Sequence, residues 1–389
     1  MRSDKVQYLE GLRGIAAMQV VLLHFVSGFM PDTAQHAWPP LRILFDGHTA
    51  VYVFFLISGA VLTPSFARPG WFVGKLAKRV VRLGIPVAAA AIIATALLAL
   101  LPDAHLRAAT LTGSAWLAMD SSGAPTLTHL AREIGLDSLL LGYREATLFA
   151  PFADHLPLME QSLDAPFWSL HLELYGSFLV LVLVSLRTRS AWLYRAAIAA
   201  AALLFGTHPM FLFVLGHLSA AMLGRRPGVI MATLGAALLV LGAAMCATKD
   251  WHAVEALRLW LIDSEAASAP NLFQFQSQLG AIALYFGVLM CPGVWRTLES
   301  APCRHLGRLS FSIYLLHFSI LFSLVCAAFI GLHQLLPASV SIAVAFVVFL
   351  ALTLLAAILF ERWIDRPAIA LSGRAGGTRS SRQMVPRGY

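Results

Sequence analysis

Long runs of apolar residues, separated by short polar segments, fill most of this chain. A helix needs about 20 mainly apolar residues to cross the hydrocarbon core of a bilayer. Ten runs meet or approach this length and are predicted to be membrane spans: 14–30, 48–66, 83–101, 167–186, 191–206, 209–223, 228–247, 277–292, 309–331 and 339–363. The predicted fold class is therefore all-α, an integral membrane protein with about ten transmembrane helices, in which the short fifth and sixth runs form a tight hairpin.

The composition agrees with a membrane protein and argues against a soluble one. The 389 residues are 59% hydrophobic and 12% charged, whereas a soluble domain carries about 25% charged residues. The first apolar run lacks an Ala-x-Ala cleavage site and is expected to remain as an anchor. The four cysteines lack metal-ligand spacing, so no metal is predicted and the cysteines are interpreted as packing residues.

The distribution of basic residues predicts the orientation of the chain in the membrane. If the N-terminus is cytoplasmic, 22 of the 28 Lys and Arg residues fall in inner segments. Cytoplasmic loops of membrane proteins carry such an excess of Lys and Arg. Both termini are therefore predicted to be cytoplasmic, in the cell inner membrane. The net charge of +8 then follows from topology, and no nucleic-acid partner is expected.

The long outer segment 102–166 and the C-terminal tail are the two parts outside the predicted bundle. Segment 102–166 carries acidic residues and a predicted short helix at 127–142. It is too long for a simple connector, so it is interpreted either as a cap that binds an acceptor or as a passive loop. Residues 1–371 are predicted to form one transmembrane domain, and the Gly-, Ser- and Arg-rich residues 372–389 a disordered basic tail.

Two polar side chains mark the first span, Arg13 near its start and His24 in its middle. Eleven residues are close to three helical turns, so both lie on one face, about 16 Å apart along the axis. An ionisable residue at this depth is costly and is a functional candidate by default. The alternative is a histidine that only hydrogen-bonds a neighbouring helix.

A cluster of basic residues follows the second span. Lys75, Lys78, Arg79 and Arg82 have the spacing i, i+3, i+4, i+7, which makes one cationic stripe on a helix. Arginine guanidinium groups suit phosphate oxygens, and Arg13 is predicted to lie at the same membrane face. A phosphorylated cytosolic cofactor is therefore predicted to bind here, with anionic lipid head groups as the alternative ligand.

The fourth span begins with four side chains that suit chemistry: Trp168, Ser169, His171 and Glu173. Glu173 is predicted to lie at the depth of His24, where a carboxylate would orient the imidazole during proton transfer. The alternative is a contact that only holds helices together. Trp168, Ser169 and His171 are assigned to the binding of an acceptor.

The ninth span carries a polar stripe formed by Ser310, Tyr314 and His317. Such a stripe either joins helices by hydrogen bonds or lines the path of a cofactor. Tyr314 and His317 are therefore candidate cofactor-binding residues, together with Lys75 of the basic cluster.

Five motifs of the sequence resemble, in the same order, those of the acyltransferase 3 family of bacterial integral-membrane O-acyltransferases. They are Leu9-Glu10-Gly11-Leu12-Arg13-Gly14 with His24; Val51-x-x-Phe54-Phe55-Leu56-x-Ser58-Gly59; Arg79-x-x-Arg82-Leu83-x-x-Pro86; Phe167-Trp168-Ser169-Leu170-x-x-Glu173; and Ser310-Phe311-Ser312-Ile313-Tyr314-Leu315-Leu316-His317. Two positions depart from the family pattern: Glu10 stands where Asp is commoner, and Ala60 where an aromatic residue usually follows Ser-Gly.

This resemblance implies transfer of an acyl group, usually acetyl, from cytosolic acyl-CoA to a hydroxyl group. Family acceptors include exported polysaccharides, peptidoglycan, lipid-linked sugars and small natural products, so a glycan, lipid-linked or small hydroxyl acceptor is expected. His24 corresponds to the catalytic histidine, as a general base or an acyl relay, and Arg13, Arg79 and Arg82 correspond to positions that handle acyl-CoA. Acetyl-CoA is the expected donor, the lipid bilayer surrounds the protein, and a homodimer is a further option.

Two other classes of function stay open from the sequence alone. A proton-coupled secondary transporter or flippase would use His24, Glu173 and His317 as a proton relay. Many transporters contain an inverted repeat, with helices broken by Gly or Pro at matching positions of the two halves. The spans of this chain show neither feature. A membrane sensor or scaffold would show no turnover. The sequence also lacks a P-loop, an HExxH motif and a Gly-x-Ser-x-Gly elbow, which argues against a nucleotide-driven pump and soluble-type hydrolase chemistry.

Overall fold

The structure, a computed structural model, describes residues 7–119, 125–248, 251–261 and 275–375, and these are helices, turns and connecting segments without a strand. Its α-helices are, in chain order, α1 (Gln7–Phe29), α2 (Pro31–His36), α3 (Pro39–Arg42), α4 (Gly47–Phe66), α5 (Phe72–Leu100), α6 (Ala104–Thr112), α7 (Leu127–Arg132), α8 (Trp168–Arg189), α9 (Ala191–Phe205), α10 (Met210–Ser219), α11 (Val229–Ala247), α12 (His252–Leu261), α13 (Phe275–Met290), α14 (Trp295–Leu298), α15 (Ala301–Ile320), α16 (Cys326–His333), α17 (Ala338–Phe360) and α18 (Arg366–Ala375).

Within the described residues, seven helical segments are long and apolar enough to cross a membrane. Two of them are continuous through π-helical turns: Leu321–Val325 joins α15 to α16, and Glu361–Asp365 joins α17 to α18. A further pair, Phe275–Met290 and Pro292–Leu298, is bent by 82° and is counted as an eighth span if the pair is taken as one. The predicted all-helical membrane protein is confirmed, whereas the count of ten and the sides of the termini stay predictions.

The predicted fifth and sixth spans are the shortest apolar helices of the bundle. Helix α9 has 15 residues, and α10 with the turn that follows it ends at Met222. At 1.5 Å per residue, neither helix reaches the thickness of a full hydrocarbon core of about 30 Å. This shortness explains why they are not among the seven long segments.

Helices α1 and α15 pack with their backbones in close contact. An added Cβ atom at Gly14 would lie 2.6 Å from the backbone nitrogen of Gly307, and one at Gly307 would overlap the carbonyl of Glu10. Only glycine therefore allows the two backbones to approach so closely. Ten residues after each glycine come His24 and His317, which contact each other. The second contact lies ten residues after the first in both helices, so α1 and α15 run parallel.

The outer segment 102–166 folds back onto the helices. Helix α6 packs on α16, and α7 continues as the π-helix Glu133–Leu141, which packs on α5 and α8. The helix predicted at 127–142 is therefore present. At the other end, α18 continues to Ala375, so the disorder predicted from residue 372 is wrong for 372–375. The rest of the predicted tail lies outside the described residues.

Glu133 is the buried junction of the outer segment, with 1% of its surface exposed. It accepts hydrogen bonds from the hydroxyl of Tyr143 and, at 3.3 Å, from the backbone N–H of Leu163. Burial raises the pKa of Glu133 to about 7, although both hydrogen bonds act in the opposite direction. This carboxyl group thus ties three stretches of the segment together.

Candidate active site

A cationic cavity of about 210 Å³, called the inner cavity below, lies between α1, α4, α5, α8 and α15. Its polar lining residues are Arg13, Ser58, Arg79, Arg82, Ser169, Glu173, Ser310 and Tyr314. Three guanidinium groups therefore converge from two helices, α1 and α5. The structure brings these predicted residues together because the stripe on α5 faces the start of α1, the end of the bundle predicted to be cytoplasmic.

Two of the three arginines are held by carboxylates. Arg79 forms an ion pair with Glu173, and its Nε donates to the hydroxyl of Ser177 at 2.6 Å. Arg82 uses two guanidinium nitrogens on the carboxylate of Asp365. These contacts fix the two side chains in place. Nη1 of Arg79 and Nε of Arg82 take no part in them.

The guanidinium group of Arg13 lies over an aromatic ring, 6.0 Å from the ring centre of Phe54, as that of Arg82 lies 5.2 Å from the ring centre of Phe311. In the part of the chain that the structure describes, no carboxylate lies within ion-pair distance of Arg13. A guanidinium with its donors facing a cavity is suited to an anionic or carbonyl oxygen of a ligand.

A wider cavity of about 520 Å³, called the mouth, opens next to the inner cavity. The two share Arg13, Arg82 and Phe311, and the mouth adds Arg304 and Arg308 of α15. Sequence reasoning counted these two arginines only as topology signals. Their spacing of four residues, at the start of the helix that carries the polar stripe, is the signal that indicates a shared face.

A third cavity of about 250 Å³, the outer cavity, lies on the far side of the inner cavity from the mouth. Its lining includes His24, His48, Trp116, Met159, Trp168 and Tyr314. Trp116 and Met159 come from the outer segment 102–166, and the Trp116 ring lies 5.3 Å from the His24 ring, centre to centre. Neither residue was singled out from the sequence, because an aromatic or a methionine in a loop has no periodic pattern to reveal its direction.

Tyr314 and Val51 line both the inner and the outer cavity, so they form the boundary between them. The Tyr314 hydroxyl donates to the carbonyl of Pro166 at 2.8 Å and lies 2.7 Å from the hydroxyl of Ser169. A carbonyl can only accept, so the phenol hydrogen is used there. Of the predicted polar stripe on α15, Tyr314 thus forms part of the wall between the two cavities, and Ser310 lines the inner cavity only.

His24 is hydrogen-bonded to His317, not to a carboxylate. Nδ1 of His24 lies 2.8 Å from Nε2 of His317, and the ring planes differ by 6°. The ring centres are 4.9 Å apart, longer than the nitrogen–nitrogen distance by about two ring radii, so the nitrogens point at each other in nearly one plane. Phe318 presents its edge to the His24 ring at 5.4 Å.

This pairing replaces the contact predicted between Glu173 and His24. Glu173 forms its contacts with Arg79 and with the Ser58 hydroxyl, which donates at 2.8 Å. The expectation failed because Glu173 lines the inner cavity with the arginines, whereas His24 lines the outer cavity, so neither the depth nor the direction of the Glu173 side chain could be read from helix spacing alone. The three-residue relay expected for a transporter is likewise not assembled, since His24 and His317 pair with each other and Glu173 pairs with Arg79.

Three predicted site residues, Lys75, His171 and His317, are absent from the lining of the three cavities. Lys75 donates to the carbonyl of Phe66 at 2.6 Å, at the end of α4. His171 accepts from the backbone N–H of Leu148 at 3.2 Å and packs on Phe149, so it holds the outer segment. Trp168 lines the outer cavity, and Ser169 lines the inner cavity. Across the described residues, no group of three or more His, Cys, Asp or Glu side chains is arranged to hold a metal ion.

Comparison with known proteins gives one match. The family model of acyltransferase 3, described as an acyltransferase domain, matches residues 6–362, nearly the whole chain. No curated protein and no solved structure matches the chain. The match includes every predicted site residue and the lining of the three cavities, except Asp365 and Ile369 of the mouth.

Proposed function

Because the chain belongs to the acyltransferase 3 family, we propose that it transfers an acyl group, acetyl in our proposal, from cytosolic acyl-CoA to a hydroxyl acceptor. The acceptor is a glycan, a lipid-linked sugar or a small exported molecule. One observation carries the proposal: a cationic cavity and an aromatic cavity that contains His24 meet at Tyr314. A donor with charged phosphates and a neutral reactive end fits this sequence of environments.

The donor enters through the mouth in this proposal. Its phosphates bind Arg304, Arg308 and Arg82, whose guanidinium groups suit phosphate oxygens. Its pantetheine arm then extends through the inner cavity past Arg13. The distance along α1 from Arg13 to His24 is about 16 Å, which the flexible arm has to span.

His24 acts as the general base of the proposed reaction. It takes the proton from the acceptor hydroxyl while the oxygen attacks the thioester carbonyl. The carbon–sulfur bond breaks, and the thiol of CoA leaves with the proton that His24 had taken. In the variant of this mechanism, His24 attacks the thioester carbonyl first, the carbon–sulfur bond breaks and CoA leaves as the thiolate, so that His24 carries the acyl group as a covalent relay. The acceptor hydroxyl then attacks this acyl group, the bond to His24 breaks, and the hydroxyl proton goes to the CoA thiolate.

The acceptor binds in the outer cavity, with the outer segment 102–166 as its cap. Trp116 and Trp168 supply aromatic faces, and His48 supplies a polar group. Pockets that bind small molecules combine apolar and aromatic walls with few polar groups in this way. A sugar ring, with its C–H faces and hydroxyls, suits such a lining.

Calorimetry with the purified protein in detergent and in lipid tests the donor site. We expect acetyl-CoA to bind wild type, and Arg304→Gln/Arg308→Gln to weaken this binding at least about tenfold, which corresponds to about 1.4 kcal/mol. The same double variant should leave binding of S-acetylpantetheine, which lacks the phosphates, unchanged. Arg362→Gln, an exposed arginine of the π-helix before α18, is the matched control.

A second comparison separates the donor site from the chemistry. His24→Ala should bind acetyl-CoA like wild type and release no CoA thiol in the presence of an acceptor. If wild type fails to bind acetyl-CoA in lipid as well as in detergent, the proposal is wrong. Proton flux in liposomes would then test the transporter hypothesis.

A further inference from the structure

We propose that His317 is a positioning residue that fixes the tautomer of His24, so that Nε2 of His24 is the basic nitrogen. The consequence for catalysis rests on the proposed function, whereas the tautomer itself follows from the hydrogen bonds alone.

The ring hydrogen of His317 lies on Nδ1. Its Nδ1 lies 3.0 Å from the carbonyl oxygen of Ile313 and 3.0 Å from that of Tyr314. A carbonyl oxygen accepts hydrogen bonds and donates none, so Nδ1 of His317 carries the hydrogen. The ring is completely buried, and water cannot take over this role. These carbonyls belong to the preceding turn of α15 itself, so the backbone of one helix determines the tautomer.

The tautomer of His317 determines that of His24. A neutral imidazole has one N–H, so Nε2 of His317 is a bare acceptor. It lies 2.8 Å from Nδ1 of His24, which must therefore donate. The one hydrogen of a neutral His24 is then on Nδ1, and Nε2 has a free lone pair. This is the nitrogen that remains for a ligand in the outer cavity, which His24 lines.

His24 and His317 resemble the histidine and the orienting group of a catalytic triad, except that the orienting group here is neutral. In a triad, a carboxylate holds the histidine tautomer and stabilises the imidazolium. Here the acceptor is an imidazole whose own hydrogen points to two carbonyls. The resting pair carries no formal charge, which suits a site in the interior of a membrane protein, where charges are costly. When Nε2 of His24 takes the acceptor proton, Nδ1 continues to donate to His317.

Packing holds the pair in register. Gly14 and Gly307 bring α1 and α15 into backbone contact ten residues before the two histidines. Trp116 stacks near the His24 ring, with 23° between the planes, and restricts its rotation. A flip of the imidazole would have to displace these rings, so the assigned orientation is the one that the packing retains.

The decisive experiment is nuclear magnetic resonance of protein with ¹⁵N-labelled histidine rings, reconstituted in lipid without any ligand. Resonances of His24 and His317 are assigned by their loss in His24→Gln and His317→Gln. We expect hydrogen on Nδ1 and a bare Nε2 in both rings. A hydrogen on Nε2 of His24 in wild type overturns the proposal, whatever the protein proves to catalyse.

Variants of His317 give a second readout. His317→Leu removes the acceptor and should lower CoA thiol release at least about 100-fold, as expected when an orienting group is lost. Acetyl-CoA affinity should change less than about threefold, which also shows that the variant folds. His317→Gln keeps an acceptor oxygen and should recover part of the activity. Equal activity of His317→Leu and wild type overturns the positioning role, whereas failure of wild type to bind acetyl-CoA overturns only the proposed function.

Discussion

The ion pair between Arg79 and Glu173 has a structural role that can be separated from donor binding. The two side chains are 15% and 14% exposed, so most of each charged group is removed from water. Removal of one partner from a buried pair costs about 3–5 kcal/mol, because an uncompensated charge remains. We therefore expect Glu173→Met to lower the free energy of unfolding by about 3–5 kcal/mol, and Arg79→Met to do the same.

The double variant Arg79→Met/Glu173→Met should recover this loss. Two methionines fill a similar volume, and replacement of a buried ion pair by apolar residues is often neutral or stabilising. The coupling energy in the double-mutant cycle should therefore be at least about 3 kcal/mol.

Chemical unfolding in detergent micelles, followed by tryptophan fluorescence, measures all four proteins. Arg189→Met, an exposed arginine at the end of the same helix α8, is the control and should change the unfolding free energy by less than about 0.5 kcal/mol. A double variant as unstable as the worse single variant would refute the reasoning. It would mean that each group is needed for a partner other than its counterion.

Two further predictions concern the packing of the bundle and the outer segment. Gly307→Ala places a Cβ against the Glu10 carbonyl and should cost about 1–3 kcal/mol of unfolding free energy. Gly331→Ala in α16, with open space around it, should be neutral or stabilise by up to about 1 kcal/mol in the same unfolding assay. Glu133 has a folded-state pKa of about 7 against an ordinary value of 4.5, so the folded state binds its proton more tightly and stability falls as pH rises between these values, by about 3 kcal/mol in total. The unfolding free energy of Glu133→Gln should differ less between about pH 5 and about pH 8 than that of wild type. An equal difference in the two proteins would contradict the raised pKa of Glu133.

The helices could be predicted from the sequence because length and hydropathy alone decide whether a segment spans a bilayer. The membrane removes the alternative of an exposed polar backbone, so the pattern leaves little choice. The convergence of Arg13, Arg79 and Arg82 was also accessible, since a helical stripe and a shared membrane face are both read from spacing. The count of spans was less accessible, because short helices such as α9 and bent pairs such as α13 with α14 depend on tertiary packing.

The partner of His24 could not be predicted from spacing within one helix. Its position depends on the contact of Gly14 with Gly307, two residues almost 300 positions apart in the chain. The tetrapeptide Leu-Leu-His-Phe occurs at both histidines, but the repeat by itself does not show that they contact each other. For Glu173 the same limit gave the wrong partner, because spacing within α8 does not show which side chains of α1 and α5 lie at the same depth.

Along the axis of α1, the charged residues of the mouth lie apart from the outer cavity, which contains His24. Arg13, Arg82, Arg304 and Arg308 line the mouth together with the carboxylates of Glu10, Glu361 and Asp365, whereas aromatic rings line the outer cavity around His24. Charges are costly in the membrane interior, so the phosphates of a donor are most stable where the arginines are. In the proposed reaction only the uncharged thioester end has to pass Tyr314. Transfer between the two sides therefore needs no alternating-access movement of the bundle, since the donor stays anchored at the mouth while its acyl group reaches the acceptor.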